Sequence, residues 1–584
     1  MLSHCVKQTC CGLAFALVAL ISTMSLVVLS QNPAAACGGF FCNQLPMEQT
    51  GENIIFSVTE ERVTSIVQIN YMGSADDFAW VVPVQSQPEL GVAPLKAFET
   101  LRNATAPRFW LDWQDLDGEC MYWGYSEASE DGGGPPNAGG GVELISQEEV
   151  GPYNASIVKS DDPQALLDWL NENEFDQPEE SLPLIAHYVE LEMLFVAIKL
   201  KKGAEVDEIQ PLRMDFVAPE PCIPLVLTQI AASPDMPVLA YVLGEQRAVP
   251  TNWLHVEVNQ KKINWMSNGS NYEEVLTQAI DEASGRAFTT EYAGSTDFMK
   301  DALYYEGQYD TEALKSITDP AEMVDELFWQ GYPNDAQLKG LIRTQIPMPP
   351  LDTLPEDCQT EQEFYNWNKE KCMGFLEEPF DSIAFCDALE ERIVIPLKEV
   401  QDMFNDQRYL TRLYSTISPE EMNRDPLFDF NPDLGDVDNN HTAQATGTCN
   451  DSGMVSDVTI ILEDGSTFTL PGEWELYGWY GSEASSWPDI APEEGAAADI
   501  RLMGSSGPGE VVSPAQVAEV DDRLQQEEPD MVANDLRTDN TDELATPKNA
   551  DEGCSVPGDG TRGMLWLNLM VLLGWATRRR LCAE

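Results

Sequence analysis

The sequence predicts an α+β protein: an antiparallel-sheet-rich folded region with capped helices, then a disordered acidic stalk and a C-terminal membrane segment. Three observations carry that expectation. Runs rich in β-branched and aromatic residues, such as NIIFSV and RVTSIVQINYM, recur in the first half of the chain. Asp-Pro pairs and a Ser-x-x-Glu box mark helix starts among and after these runs. Both ends of the chain carry apolar runs with the flanks of targeting segments.

The 584 residues suffice for two or three domains with buried cores, and a hydrophobic fraction of 43% is ordinary for a folded protein. The charge is not ordinary. Against 33 Lys and Arg stand 99 Asp and Glu, a formal net charge of -66. Such a surface repels nucleic acid and anionic headgroups, which excludes nucleic acid as a partner. Self-repulsion on that scale is relieved by salt or divalent cations, or by segregating the excess into loops and a tail.

The first element is a signal peptide over residues 1–36, with LAFALVALISTMSLVVL as its apolar core, Lys7 ahead of it and AAA behind. Cleavage after Ala36 leaves Cys37 at the new N-terminus. A lipobox wants Leu or a similar residue three places before the cysteine, and Ala34 stands there, so lipid attachment is the weaker reading. Between the two targeting ends lie Cys37, Cys42, Cys120, Cys222, Cys358, Cys372, Cys386 and Cys449, an even set suited to disulfides in an oxidising compartment. The glycines of CGGFFC let Cys37 and Cys42 close on one another, while sequence leaves the other pairings open.

Residues 37–345 read as the main α+β domain and 346–480 as a second part of the folded region. Strands are expected in NIIFSV, RVTSIVQINYM and FAWVVPV, then a helix in PLKAFETLRN, then a flexible Gly-rich loop over 131–141. SDDPQALLDWL opens a helix with Asp162 as cap and Pro163 in its first turn. Strand-like runs follow in EMLFVAIKL, IQPLRMDFVAP, CIPLVLTQI, MPVLAYVLG and NWLHVEVNQ. A helix starts at Asp319–Pro320 and stops near Gly331, Ser418 and Glu421 form a capping box for another, and VTIILEDGSTFTL folds into a hairpin at Asp464–Gly465. Residues 351–387 carry three cysteines and read as an insertion.

From 489 to 552 the chain turns acidic and poor in aromatics, the composition of a solvated stalk. Residues 553–584 end it: Gly-Cys at Cys554, a polar spacer, an apolar run and the cluster Arg578, Arg579, Arg580. The run is shorter than the roughly 20 residues of a comfortable membrane helix, and the arginines would hold their end in the cytoplasm. That ordered set resembles the myxobacterial-type C-terminal sorting domain. The resemblance implies cleavage near Cys554 by a membrane protease and display at the cell surface; a plain C-terminal membrane helix is the alternative.

ACGGFFCNQ, DFAWVVPV, VGPYNASIVKSDDPQALLDWLNENEF and YLTRLYSTISPEEMNRDPLFDFNPDL, spread over residues 36–445, resemble the bacterial exported family catalogued as domain of unknown function 2330. The resemblance implies export and an envelope location, and brings no catalytic residues with it.

Chemistry is sparse. Beyond the signal peptide the histidines are His187, beside apolar residues in a helix; His255, in an alternating strand; and His441, in a polar loop and the most exposed. No GxSxG, HExxH or P-loop pattern is present. Acidic pairs are too numerous for spacing to identify a glycosidase. Calcium is the one cofactor the sequence suggests, at Asp115, Asp117 and Glu119 or at Asp433, Asp436 and Asp438, although neither loop completes an EF-hand. YWGYSEASE and YGWYGSEASSW are candidate sugar-stacking platforms.

The expectation is therefore an exported, envelope-anchored surface protein with a structural or binding role. Its partners are the secretion machinery, signal peptidase, a C-terminal sorting protease and the membrane. The alternatives are a carboxylate-based hydrolase of envelope polysaccharide and a calcium-dependent glycan-binding module.

Overall fold

A computed structural model describes residues 48–59, 62–72, 79–114, 143–175, 177–200, 209–449, 454–475 and 495–526. The processing residues Ala36, Cys37, Cys554, Arg578, Arg579 and Arg580 lie outside the described residues, as do Cys42, Cys120, Asp115, Asp117 and Glu119.

In chain order the strands are β1 (Glu48–Val58), β2 (Val63–Met72), β3 (Ala79–Val84), β4 (Glu89–Val92), β5 (Arg108–Trp113), β6 (Glu143–Val150) and β7 (Tyr153–Lys159). There follow β8 (Leu194–Leu200), β9 (Leu212–Phe216), β10 (Met236–Gly244), β11 (Arg247–Pro250), β12 (Leu254–Val258) and β13 (Ala287–Ser295). The last are β14 (Tyr409–Ile417), β15 (Phe428–Asn431), β16 (Asn440–Cys449), β17 (Met454–Leu462), β18 (Thr467–Glu475), β19 (Ala498–Leu502) and β20 (Glu510–Val512). Helices and sheets are mixed, as an α+β reading requires. Ten strands form one sheet in the order β20-β19-β12-β13-β14-β10-β1-β2-β9-β4. Its neighbours are antiparallel except β1 with β10 and β12 with β13.

Period-two alternation explains why both faces of this sheet are covered. On β1 and β10, Ile55, Leu239, Tyr241 and Leu243 enter a core shared with the helices between residues 297 and 406. Their neighbours Ile54, Phe56, Val238, Ala240 and Val242 face the other way, against Trp80, Val82, Ile157, Val196 and Ile198 of a second sheet, β3-β8-β7-β6. That second sheet turns Val81, Phe195 and Ala197 onto the helices Pro163–Glu172 and Leu182–Glu190. The order of layers is thus helices, large sheet, small sheet, helices. Strands from both sides of residue 345 share the large sheet, because β14 lies between β13 and β10.

The capping residues behave as their chemistry dictates. Asp162 Oδ1 accepts from the backbone N–H groups of Gln164 and Ala165, with Pro163 at the first helical position. Asp162→Ala should therefore cost about 1 kcal/mol in urea unfolding, and Asp162→Asn much less. The hairpin β17–β18 turns through Asp464 and Gly465, the latter at φ +81°.

Three expectations are corrected. CIPLVLTQI is not a strand: Leu225–Thr228 is a short helix whose four residues are all buried, so the run carries no alternation to distinguish the two. Pro224 precedes it, and the Asp425 carboxylate accepts from Val226 N–H at its start. The Ser418–Glu421 capping box is present but holds only the 3-10 turn Pro419–Glu421. The stalk does not begin at 489: β19 pairs with β12, and Asp521 is bonded to Arg286 and Arg424, so residues 495–526 are folded.

Cys358 and Cys372 form a disulfide across a separation of 14 residues. Cys386, expected among the paired cysteines, is instead a free thiol buried in the same helical core; the two cysteines of that core segment are bonded to each other. Cys222 is half-buried, bridging to Leu427 through its backbone, and Cys449 ends β16.

Candidate functional site

Two charges stand where strand patterns call for apolar residues. Arg412 is the fourth residue of β14 and Glu291 the fifth of β13, only 6% and 4% exposed. The strands are neighbours, and a register shift between Thr290 and Tyr292 places Glu291 at the irregularity. Arg412 Nε donates to Glu291 Oε2 at 2.5 Å. Its Nη1 donates to Thr105 Oγ1 at 3.3 Å and to the Tyr241 hydroxyl at 3.2 Å. Nη2 makes no hydrogen bond to a described residue, and Arg412 lines a cavity. A guanidinium this deeply buried ordinarily spends its donors within the protein.

That cavity is about 770 Å³. The large sheet forms its floor through Asn53, Gln68, Tyr241 and Tyr414, and the helices Leu95–Thr105 and Tyr272–Glu282 form walls through Glu99, Arg102 and Glu273. The Tyr414 hydroxyl donates to Glu273 Oε1 at 3.3 Å. Burial, reinforced by Glu273, pushes the Tyr414 phenol well above its ordinary range; burial, opposed by Arg412, also raises that of Tyr241. The phenols are therefore neutral hydroxyls at any physiological pH.

Tyr272 and Glu291 also line a second cavity of about 220 Å³. Here the histidine expectations change. His441 is not in an exposed loop: it lies on β16, half-buried and stacked on Phe109 with ring centres 4.9 Å apart. His255 is 2% exposed, and its Nε2 pairs with Thr290 Oγ1 at 2.9 Å while Nδ1 is buried without a partner among the described residues. Both histidines line this small cavity. Burial, with Arg247 and Arg501 adding to it, drives the His255 imidazole down to about 3, and burial lowers His441 as well. A neutral imidazole that basic only in strong acid is a poor general base for Thr290, since efficient proton transfer wants a pKa near the working pH. His187 packs edge-on against Tyr188, as a helix-packing residue should.

Gly269 fixes the Phe109 wall. Its φ is +78°, and a Cβ there would lie 2.3 Å from the Phe109 ring. Gly269→Ala should cost about 2 kcal/mol by combining left-handed strain with overpacking, and should move the stacked His441 ring. Urea unfolding and the His441 ring resonances would register both effects.

Of the two calcium loops, Asp115, Asp117 and Glu119 lie outside the described residues, and the carboxylates of the other each have a hydrogen-bond partner of their own. Asp433 Oδ2 accepts from Gly507 N–H, Asp436 Oδ1 from the Tyr409 hydroxyl, and Asp438 Oδ1 from Asn440. Among the described residues no group of three or more His, Cys, Asp or Glu could hold a metal ion. The two aromatic platforms, at Tyr122 and Tyr477, lie outside the described residues.

Sequence reasoning passed over Arg412 and Glu291. The signal was there: a charge inside YLTRLYSTI and another inside AFTTEYAGS, each within a run that carries β-branched and aromatic residues.

These features belong to a cavity on a mixed sheet, and comparison with known proteins finds a family model that matches part of the chain. Residues 32–318 match the model of the family described as "Uncharacterized protein conserved in bacteria (DUF2330)". The match supports the resemblance carried by ACGGFFCNQ and DFAWVVPV over a shorter span than 36–445, and it ends before the helix Pro320–Phe328 and before β14. No curated protein and no solved structure matches the chain.

Proposed function

We propose that the protein is exported, held at the cell envelope through its C-terminal end, and binds a ligand in the Arg412 cavity without transforming it. Arg412 carries the binding reading. Its charge is balanced by Glu291, its position is fixed by Thr105 and Tyr241, and it lines a cavity of ligand size. A purely structural ion pair needs no such cavity. The only histidine paired with a hydroxyl nucleophile in this region, His255 among the described residues, is too weak a base, which favours binding over hydrolysis. Export and anchoring are supported by the signal-peptide pattern, the even cysteine set and the Gly-Cys, apolar, arginine order at the far end.

Mass spectrometry of unreduced protein taken from its native envelope tests the reading. The expected chain begins at an unacylated Cys37 linked to Cys42, ends near a modified Cys554, and carries a non-covalent ligand under native conditions. Lipid on Cys37, or retention of residues 555–584, would overturn the anchoring. Turnover of an envelope polysaccharide abolished by a Glu273 substitution would overturn the non-enzymatic role.

A further inference from the structure

We infer that the ligand of the Arg412 cavity is a short neutral oligosaccharide, an inference that rests on the reading of that cavity as a binding site. The polar lining is the first reason. Asn53 and Gln68 stand on adjacent strands, with Asn53 Nδ2 donating to Gln68 Oε1 at 3.1 Å, and Asn70 lies at the cavity rim beyond them. Amides both donate and accept, and so does the hydroxyl of Tyr414. A sugar hydroxyl is likewise donor and acceptor at once, so it can be satisfied by these groups and by the Arg412 guanidinium.

The apolar lining is the second reason. Phe98, Leu239 and the ring of Tyr414 line the cavity together with the polar groups. A pyranose presents both kinds of surface, with C–H faces between rims of hydroxyls; a lipid chain does not.

Charge is the third. Glu99, Glu273 and Glu291 line the cavity against Arg102 and Arg412, and Glu291 already neutralises Arg412. The whole chain carries -66. An anionic polymer meets repulsion both on approach and inside, whereas a neutral one meets neither. The cavity volume of about 770 Å³ falls within the usual small-ligand range and exceeds what a single sugar ring needs.

The test is calorimetric titration of the mature protein with maltotetraose, cellotetraose, chitotetraose and, as the acidic comparison, tetragalacturonate. At least one neutral tetrasaccharide should bind, and tetragalacturonate should not. Asn70→Ala, at the exposed rim, should weaken binding about 3- to 10-fold, and Arg412→Lys at least about 10-fold. If Arg412→Lys does not fold, Asn70→Ala and Gln68→Ala carry the test. Binding of tetragalacturonate alone, still weakened by Asn70→Ala, would overturn the neutral sugar and leave the cavity as a binding site. Neutral binding untouched by both amide variants would overturn the cavity itself. Failure of all three neutral sugars at millimolar concentration would overturn the ligand class.

Discussion

Replacing Asp521 by alanine should destabilise the folded region by about 3–5 kcal/mol, the cost of removing one partner from a buried ion pair. Arg424 is fully buried, and its Nη2 donates to Asp521 Oδ1 at 2.7 Å; Arg286 Nε donates to the same oxygen at 3.0 Å, and its Nη2 to Oδ2. One carboxylate thus answers two guanidiniums, from before β13 and from the loop ahead of β15. Burial works to raise the Asp521 pKa, but Arg286 and Arg424 outweigh it and hold the carboxyl below the usual range. Its contribution is fully present above the unfolded-state pKa and is lost as pH falls through the depressed folded value. Asp522→Ala, one residue along and exposed, should change urea unfolding little. Equal small effects for both would mean that residues 495–526 are the stalk their composition suggests.

The second large effect has the opposite sign. Glu52 is a carboxylate on β1, 4% exposed, with Gln49 Nε2 donating to it at 3.3 Å. Burial raises its pKa from 4.5 to about 7, against the smaller lowering by Gln49. A raised carboxyl pKa makes the folded state bind the proton more tightly than the unfolded chain does. Stability is then greatest below about 4.5 and falls as pH rises to about 7, by about 3 kcal/mol in all. Glu52→Gln removes that dependence. Relative to the natural protein, the variant should gain about 3 kcal/mol between pH 4 and pH 8 in urea unfolding. Taking the difference between the two proteins cancels the pH dependence of the other acids. A constant difference across that range would show that Glu52 is ionised at no cost in the folded protein.

Local features were legible from local chemistry. Strand-like apolar runs located β1, β2, β10 and β12, and Asp162 and Asp319 located helix starts because a carboxylate beside Pro can do little else so well. Pairing was not legible. β1 and β10 run parallel although 180 or more residues separate their partners, and nothing in either strand names the other. The fully buried turn Leu225–Thr228 defeated the periodicity argument for want of an exposed face. Composition misplaced the stalk boundary, because Asp521 looks like any solvated acid until two arginines from distant segments reach it. For the site, the aspartate loops drew attention by density and the histidines lost it by rarity. Rarity was the wrong guide: two histidines meet at one cavity, and the buried charge that lines the larger one is an arginine paired across 121 residues.

The measurement that bears most directly on the central claim is a crystal structure of the mature protein grown with the tetrasaccharide that binds best. The account predicts sugar density in the cavity between the helices Leu95–Thr105 and Tyr272–Glu282, with a hydroxyl about 3 Å from Arg412 Nη2. Sugar bound elsewhere on the molecule, with that cavity holding only water, would contradict it.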